Sequence, residues 1–187
     1  PVTTTINSPP TVQDNLGNLV DQDENFTGNI LIGSNDPDGN LDPDSIIITD
    51  PNDISNFGTV GVGNELVIPT VGTYTVTNTG SIVFDPDPTY TGDASILFRV
   101  EDTLGVSSED GNLQITVLPP GCNAIATGSA DRDGDGISDV CDTDNDNDGI
   151  PDAVEGCAAT LGLTDDTSLI VDRTIWQNNY LNAVGND

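Results

Sequence analysis

The sequence Thr73-Tyr-Thr-Val-Thr77, Asn78-Thr-Gly80, Ser81-Ile-Val-Phe84 has the pattern of a β-hairpin. The alternation of side chains in its two halves suits strands that bury one face. The Asn and Gly between the halves tolerate the left-handed backbone that a short turn requires. This stretch therefore predicts two antiparallel strands joined by a tight turn.

The same pattern, in which short β-branched runs are broken by Gly, Pro, Asn and Asp, extends from residue 2 to residue 118. No segment of the chain has convincing helical periodicity. The predicted strands are residues 2–6, 29–32, 45–49, 65–68, 73–77, 81–84, 94–100 and 112–118. These strands predict an all-β fold, an immunoglobulin-like β-sandwich whose core is mostly Val, Ile and Leu.

The run Pro119-Pro120-Gly121 marks the end of the sandwich, because proline cannot donate a hydrogen bond to a sheet ladder. The composition then changes to Asp and Gly until about residue 156. We therefore predict a sandwich at 1–118, an irregular acidic segment at 119–157, and a tail or the start of a truncated further domain at 158–187.

The chain is strongly acidic, with 32 Asp and Glu against 3 Lys and Arg and a formal net charge of -29. Nucleic acids and anionic membranes are excluded as partners, because binding either one needs clusters of cationic side chains. No long apolar run is present, so we predict no membrane insertion. Divalent cations are the natural partners of such an excess of carboxylates.

The residue types that are missing narrow the possible functions further. The chain has neither His nor Lys, which excludes Ser-His-Asp and Cys-His catalysis, lysine Schiff bases, P-loops and His-ligated zinc sites. A glycosidase needs only two carboxylates, but one Trp and three Tyr leave few side chains to stack against sugar rings. We therefore predict that the chain is not an enzyme.

Two acidic segments, 131–142 and 144–155, align with an offset of 13 residues. Each has an acid at loop positions 1, 3, 5, 9 and 12 and a Gly at position 6. Alternate carboxylates converge on one ion in calcium loops, the Gly lets the backbone wrap, and the last acid closes the cage. The predicted Ca²⁺ ligands are Asp131, Asp133, Asp135, the Ile137 carbonyl, Asp139 and Asp142, followed by Asp144, Asp146, Asp148, the Ile150 carbonyl, Asp152 and Glu155.

Two other interpretations fit this segment less well. A solvated acidic linker is the ordinary explanation of a run of like charges, but it does not require the duplicated order of Asp, Gly and Ile. An EF-hand needs helices on both sides of each loop, and only Thr143 separates these two loops. The segment is therefore predicted to be an irregular loop wrapped around Ca²⁺, which charge repulsion opens when the cation is removed.

The string Asp131-Arg-Asp-Gly-Asp-Gly-Ile-Ser-Asp-Val-Cys-Asp142, followed by Asp144-Asn-Asp-Asn-Asp-Gly-Ile-Pro-Asp152, resembles thrombospondin type 3 repeats over residues 122–157. The resemblance implies a chain wound around calcium ions with almost no hydrophobic core. It also implies a disulfide between successive repeats, here between Cys122 and Cys141. Cys157 would then pair elsewhere or remain a buried thiol.

Residues 10–118 resemble bacterial cadherin-like and CshA-type fibril repeats. The strings that carry this resemblance are Asn35-Asp-Pro-Asp-Gly39, Gly72-Thr-Tyr-Thr-Val-Thr77, Ser81-Ile-Val-Phe-Asp-Pro-Asp-Pro88, Tyr90-Thr-Gly92 and Phe98-Arg-Val-Glu-Asp102. Such repeats form long fibrils that hold an adhesive tip away from the cell. By analogy with cadherin-like chains, a further calcium site is possible at Asp36, Asp38, Glu101 and Asp102, although Asp in such pairs also simply builds turns.

These observations predict a calcium-rigidified stalk or linker module of an extracellular bacterial adhesin, at the cell surface or secreted. Its expected partners are calcium ions and the neighbouring domains of the same chain. The alternative is an adhesion domain that binds a ligand, either glycan, protein or ice. The Thr run at 3–5 and the alternating Thr73, Thr75 and Thr77 motivate this alternative, although alternating Thr is also ordinary exposed strand surface.

Overall fold

The computed structural model describes residues 6–61 and 63–152, which form two β-sheets packed against each other. The strands are β1 (Asn15–Asp21), β2 (Phe26–Asn29), β3 (Leu41–Asp50), β4 (Asp53–Thr59), β5 (Glu65–Ile68), β6 (Gly72–Val76), β7 (Ser81–Pro86), β8 (Gly92–Asp102) and β9 (Gly111–Leu118). The short helix α1 (Ala124–Thr127) follows them. The predicted all-β sandwich is confirmed.

The two sheets differ in strand number and connectivity. The five-stranded sheet has the order β1-β9-β8-β3-β4, and the four-stranded sheet has the order β2-β7-β6-β5. Strands β1 and β9 are parallel, so both end at the same edge of the sandwich, where Asp21 lies opposite Leu118. This arrangement places the end of β1 beside the point where the chain leaves the sandwich for the acidic segment.

Buried residues of both sheets form one hydrophobic cluster, and most of them are Val, Ile and Leu as predicted. Tyr74 and Phe84 are its largest aromatic pair, lying opposite each other in the β6–β7 hairpin with ring centroids 4.3 Å apart. The turn of this hairpin uses Gly80 at φ 76°, and the Gly80 amide donates to the Thr77 carbonyl at 2.9 Å. The hairpin predicted at residues 73–84 is therefore present.

Two parts of the strand prediction differ from the structure, and a third is not tested by it. The predicted strand at 29–32 is wrong, because Asn29 accepts a hydrogen bond from the Leu31 amide at 2.8 Å and the chain turns there. The sequence pattern does not predict β1, which is interrupted near Gly17, or β4, whose side chains are mostly exposed. The predicted strand at 2–6 lies outside the described residues apart from Ile6, which is not in a strand.

Strand β9 ends at Leu118, and the Cys122 amide then donates to the Pro119 carbonyl in a turn. The domain boundaries drawn from the sequence stay a prediction, and the segment at 158–187 lies outside the described residues. Among the described residues, no helix has the length and apolar character needed to cross a membrane.

Candidate metal centre

Each acidic loop brings three carboxylates together. The first triad is Asp131, Asp133 and Asp135, and the second is Asp144, Asp146 and Asp148. Within each triad, one oxygen from every carboxylate lies within 4.8 Å of the others. Oxygens with this spacing can share one cation, since Ca²⁺ takes its oxygen ligands at about 2.3–2.6 Å.

The backbone of the first loop wraps around the carboxylate of Asp131. The amide of Gly134 donates to Asp131 Oδ1 at 2.8 Å, and the amide of Gly136 donates to Oδ2 at 3.1 Å. Gly136 has φ 95°, a conformation that side chains disfavour. Further along, the Ile137 amide donates to Asp135 Oδ1 at 2.8 Å. These bonds fold the loop so that its acids face inward together.

The second loop repeats this wrapping 13 residues later. The amide of Gly149, at φ 87°, donates to Asp144 Oδ2 at 3.0 Å. The amide of Ile150 donates to Asp148 Oδ1 at 2.8 Å. The duplication seen in the sequence is therefore a duplication of hydrogen bonds, which a solvated acidic linker would not need.

The acid at position 9 joins the two ends of each loop by hydrogen bonds. In the first loop, Asp139 Oδ1 accepts from the Arg132 amide at 2.8 Å, and the Asp139 amide donates to the Ala130 carbonyl at 2.8 Å. In the second loop, Asp152 makes the corresponding two bonds, to the Asn145 amide at 3.0 Å and the Thr143 carbonyl at 2.8 Å. Neither acid belongs to a triad, so their part as calcium ligands stays a prediction.

The remaining predicted ligands also stay predictions. The Asp142 carboxylate accepts from the Asp144 amide at 3.0 Å and so connects the end of the first loop to the start of the second. The carbonyls of Ile137 and Ile150 belong to the two wrapped loops. Glu155, the predicted last ligand of the second loop, lies outside the described residues, as does Cys157.

The electrostatics of the triads fit a cation. Hydrogen bonding from the Asp135 amide lowers the pKa of Asp133, but desolvation, the charges of Asp135 and Asp142 and a hydrogen bond with Asp131 outweigh it and raise the pKa. In the second triad, Asp144 Oδ1 is buried and has no hydrogen-bond partner. A bound cation would relieve the crowding of negative charge and would satisfy the buried oxygen.

A disulfide between Cys122 and Cys141 encloses most of the first loop, with the two Cα atoms 5.6 Å apart. It spans 19 residues, and closing a loop of that size stabilises a fold by about 3 kcal/mol in the chain-entropy model. The Ser138 amide donates to the Cys122 carbonyl at 2.9 Å inside this ring. The pairing that the thrombospondin resemblance implied is therefore present.

The residues of the possible further calcium site form hydrogen bonds within turns of the structure. Asp36 Oδ1 accepts from the amides of Asp38 and Gly39 at 2.8 and 3.1 Å, and Asp38 Oδ2 accepts from the Ser8 amide at 2.6 Å. Among the described residues, the groups of three or more candidate ligands are the two loop triads. The site at Asp36, Asp38, Glu101 and Asp102 is therefore not assembled as a cluster here and stays a prediction.

Asp102 and Glu101 likewise have structural partners. Asp102 is buried, and its Oδ1 accepts from the amides of Leu104 and Val106 at 2.8 and 2.9 Å. The Val106 amide is the main reason that the pKa of Asp102 lies below its ordinary value. Glu101 Oε1 accepts from the Ser107 hydroxyl at 3.1 Å. These contacts are those of a turn at the end of β8.

Residues 11–117 match the family model described as the surface adhesin CshA repetitive domain. The chain belongs to this CshA repeat family. Residues 130–160 match the thrombospondin type 3 repeat, which follows the CshA repeat in the order that the sequence motifs predicted. A comparison with curated proteins found no match.

The two matches agree with the geometry of the chain. The CshA repeat covers the β-sandwich, and the thrombospondin type 3 repeat covers the two acidic triads. Neither family is enzymatic. The chain is thus an adhesin-related calcium-binding module whose cofactor is Ca²⁺, and the two Asp triads could hold the ion.

Sequence reasoning missed two residues that attach the acidic segment to the sandwich. Asp21 and Asn123 are both buried, and the Asn123 amide donates to Asp21 Oδ1 although the two residues lie 102 positions apart. No local pattern reveals such a contact. The only signal was an Asp that follows the apolar pair Leu19-Val20 in a stretch not predicted to be a strand.

Proposed function

We propose that this chain is a calcium-rigidified stalk or linker module of an extracellular bacterial adhesin, at the cell surface or secreted. The observation that carries the proposal is the pair of Asp triads, each inside a hydrogen-bond network whose bonds at positions 6, 7 and 9 recur from the first loop to the second. A connector that only had to be soluble would not fix its acids in two matching cages. The disulfide at Cys122 and Cys141 supports an oxidising, extracellular setting.

Charge explains why calcium would stiffen the connector. Residues 131–152 carry nine Asp and one Arg, so the calcium-free segment repels itself. One Ca²⁺ in each loop brings four positive charges into this segment. The bound ions would then replace repulsion with shared ligands, and the segment would hold a fixed conformation between the sandwich and the domain that we propose follows it.

The size of the effect follows from mass action. Extracellular calcium modules have dissociation constants of roughly 0.1–1 mM. At a calcium concentration ten times the dissociation constant, each site adds about 1.4 kcal/mol to the free energy of unfolding. Two sites together add about 2.8 kcal/mol, which corresponds to a rise in Tm of roughly 5–10 °C for a protein of this size.

Thermal unfolding and limited proteolysis in calcium and in EGTA test the proposal. We expect calcium to raise Tm by this amount and to protect residues 120–152 from cleavage. The double variant Asp133→Asn with Asp146→Asn should lose both effects. The double variant Asp53→Asn with Asp87→Asn removes the same charge from turns of the sandwich and should keep them. Identical melting and cleavage of the wild type in calcium and EGTA would refute the proposal.

A ligand-binding role has less support from the surface that motivated it. Thr73 and Thr75 lie on the same face of β6 and are half-buried, and they pair across the sheet with Asp85 and Glu65 and with Val67 and Val83. A face that mixes Thr, acids and Val lacks the regular array of Thr that ice binding would use. The Thr run at 3–5 lies outside the described residues.

A further inference from the structure

Asp21 joins the sandwich to the acidic segment through a buried carboxylate. It is the last residue of β1, and it is 7% exposed. Its Oδ2 accepts from the Gly121 amide at 3.0 Å, and its Oδ1 accepts from the Asn123 amide at 2.9 Å. Both oxygens thus hold the backbone that has just left β9. Loss of these two bonds would leave a buried charge unsatisfied and would lower the free energy of unfolding.

The backbone that Asp21 holds is also paired with the first calcium loop. Asn123 and Ile137 form an antiparallel β-bridge. In this bridge the Ala124 amide donates to the Gly136 carbonyl, and the Ser138 amide donates to the Cys122 carbonyl, both at 2.9 Å. Ile137 lies between them, and its carbonyl is one of the predicted calcium ligands. The contacts therefore run from β1 to a residue of the calcium cage.

A side-chain contact reinforces this connection for the first loop alone. A Cβ added to Gly136 would lie 2.5 Å from Leu19 Cδ1, so the loop backbone packs directly on β1. The Leu19 carbonyl also accepts from the Asn123 side-chain amide at 3.4 Å. A Cβ added to Gly149, at the same position of the second loop, would meet nothing within 4 Å. The two loops thus have matched cages but different attachment.

We propose that Asp21 is a positioning residue for the first calcium site, and that it couples calcium binding in that loop to the folded end of β1. This inference rests on the proposed function, because it requires the loops to bind Ca²⁺. Calcium that orders the first loop favours the contacts with Asp21, and those contacts in turn raise the calcium affinity by the same factor. The second loop contacts the first through Asn147 and Asp133 but makes no direct contact with Asp21, so its calcium affinity depends much less on Asp21.

Calorimetric calcium titration of single-site proteins tests the coupling. The variant Asp148→Ala leaves the first site to be measured, and Asp135→Ala leaves the second. In the first background we expect Asp21→Asn to weaken calcium binding about tenfold, the low end for losing a hydrogen bond to a charged group. In the second background we expect a change of less than about twofold, because among the described residues that loop has no direct contact with Asp21 and reaches it only through the first loop, by the bond from Asn147 Nδ2 to Asp133 Oδ2 and the bond from the Asp144 amide to Asp142.

A matched control removes an acid from the opposite end of the same strand pair. Asp14 Oδ1 accepts from the Asn112 amide at 2.9 Å, where β9 begins. Asp14→Asn therefore makes the same change of charge in the sandwich, away from the loops, and should leave both calcium affinities unchanged. A similar weakening by Asp14→Asn and Asp21→Asn would mean that net charge, and not position, sets the affinity, which would overturn the inference.

A second variant keeps the test decisive if Asp21→Asn does not fold. Leu19 is only half-buried, so Leu19→Ala should fold, and by removing the contact with Gly136 it should weaken the first site but not the second. The two proposals fail in different ways. Absence of calcium uptake by the wild type would refute the proposed function, whereas normal uptake with unchanged first-site affinity in these variants would refute only the role of Asp21.

Discussion

Removal of the disulfide should weaken calcium binding in one loop and not in the other. Cys122 and Cys141 enclose the first loop up to position 11, whereas the second loop begins at Asp144, outside the ring. Closing a ring over 19 residues removes about 3 kcal/mol of chain entropy from the calcium-free state. Without the bond, calcium binding must supply that ordering itself.

The expected magnitude follows directly. If the whole 3 kcal/mol appears in binding, the double variant Cys122→Ser with Cys141→Ser loses about 100-fold in calcium affinity at the first site. The β-bridge between Asn123 and Ile137 provides part of the same constraint, so about 100-fold is an upper value. The affinity of the second site should change by less than about twofold, since its loop is not closed by the ring.

Calcium titration of the Asp148→Ala and Asp135→Ala backgrounds measures the affinity of each site separately. Reduction of the wild type with a phosphine breaks the same disulfide without a substitution. Both treatments should give the same selective loss. Equal weakening of the two sites would show that the loops bind as one cooperative unit, and no weakening would show that the bridge alone orders the first loop. Either result would refute the entropy argument.

Two further predictions concern single side chains. Gly136→Ala and Gly149→Ala both place Ala at positive φ, but only Gly136→Ala brings a Cβ against Leu19. Gly136→Ala should therefore lower Tm in calcium by roughly 2–4 °C more than Gly149→Ala does, or by about 1 kcal/mol, measured by calorimetry on both proteins. Tyr74→Phe should be neutral or should raise the free energy of unfolding by about 1 kcal/mol in urea, because the Tyr74 hydroxyl is buried without a partner; a loss above about 1 kcal/mol would contradict this.

The sequence predicts the parts of the fold that depend on residues close together in the chain. The hairpin at β6 and β7 follows from alternating side chains around a turn with Gly80, and its strand ends are within two residues of those observed. Strand β1 is not predictable in this way. It is interrupted at Gly17 and is held by parallel pairing with β9, almost a hundred residues later. Tertiary pairing, not local propensity, makes that segment a strand.

The residues of the candidate site also divide into those that the sequence predicts and those that it does not. The six triad acids were predictable because a calcium loop is a contiguous ligand set, and alternate positions along it converge on one ion. The position 9 acids were assigned as ligands, while the structure shows them joining the two ends of each loop through the Arg132 and Asn145 amides. The role of Asp21 could not be predicted, because it depends on where a distant turn returns to the sandwich.

Crystallographic detection of calcium tests the central claim most directly. Crystals are grown in calcium, and anomalous diffraction data are collected on both sides of the calcium absorption edge. The difference between the two data sets locates the ions without assumptions about their ligands. We expect one peak among Asp131, Asp133 and Asp135 and another among Asp144, Asp146 and Asp148. Triads without anomalous density at millimolar calcium, or peaks confined to turns such as that of Asp36, would contradict the account.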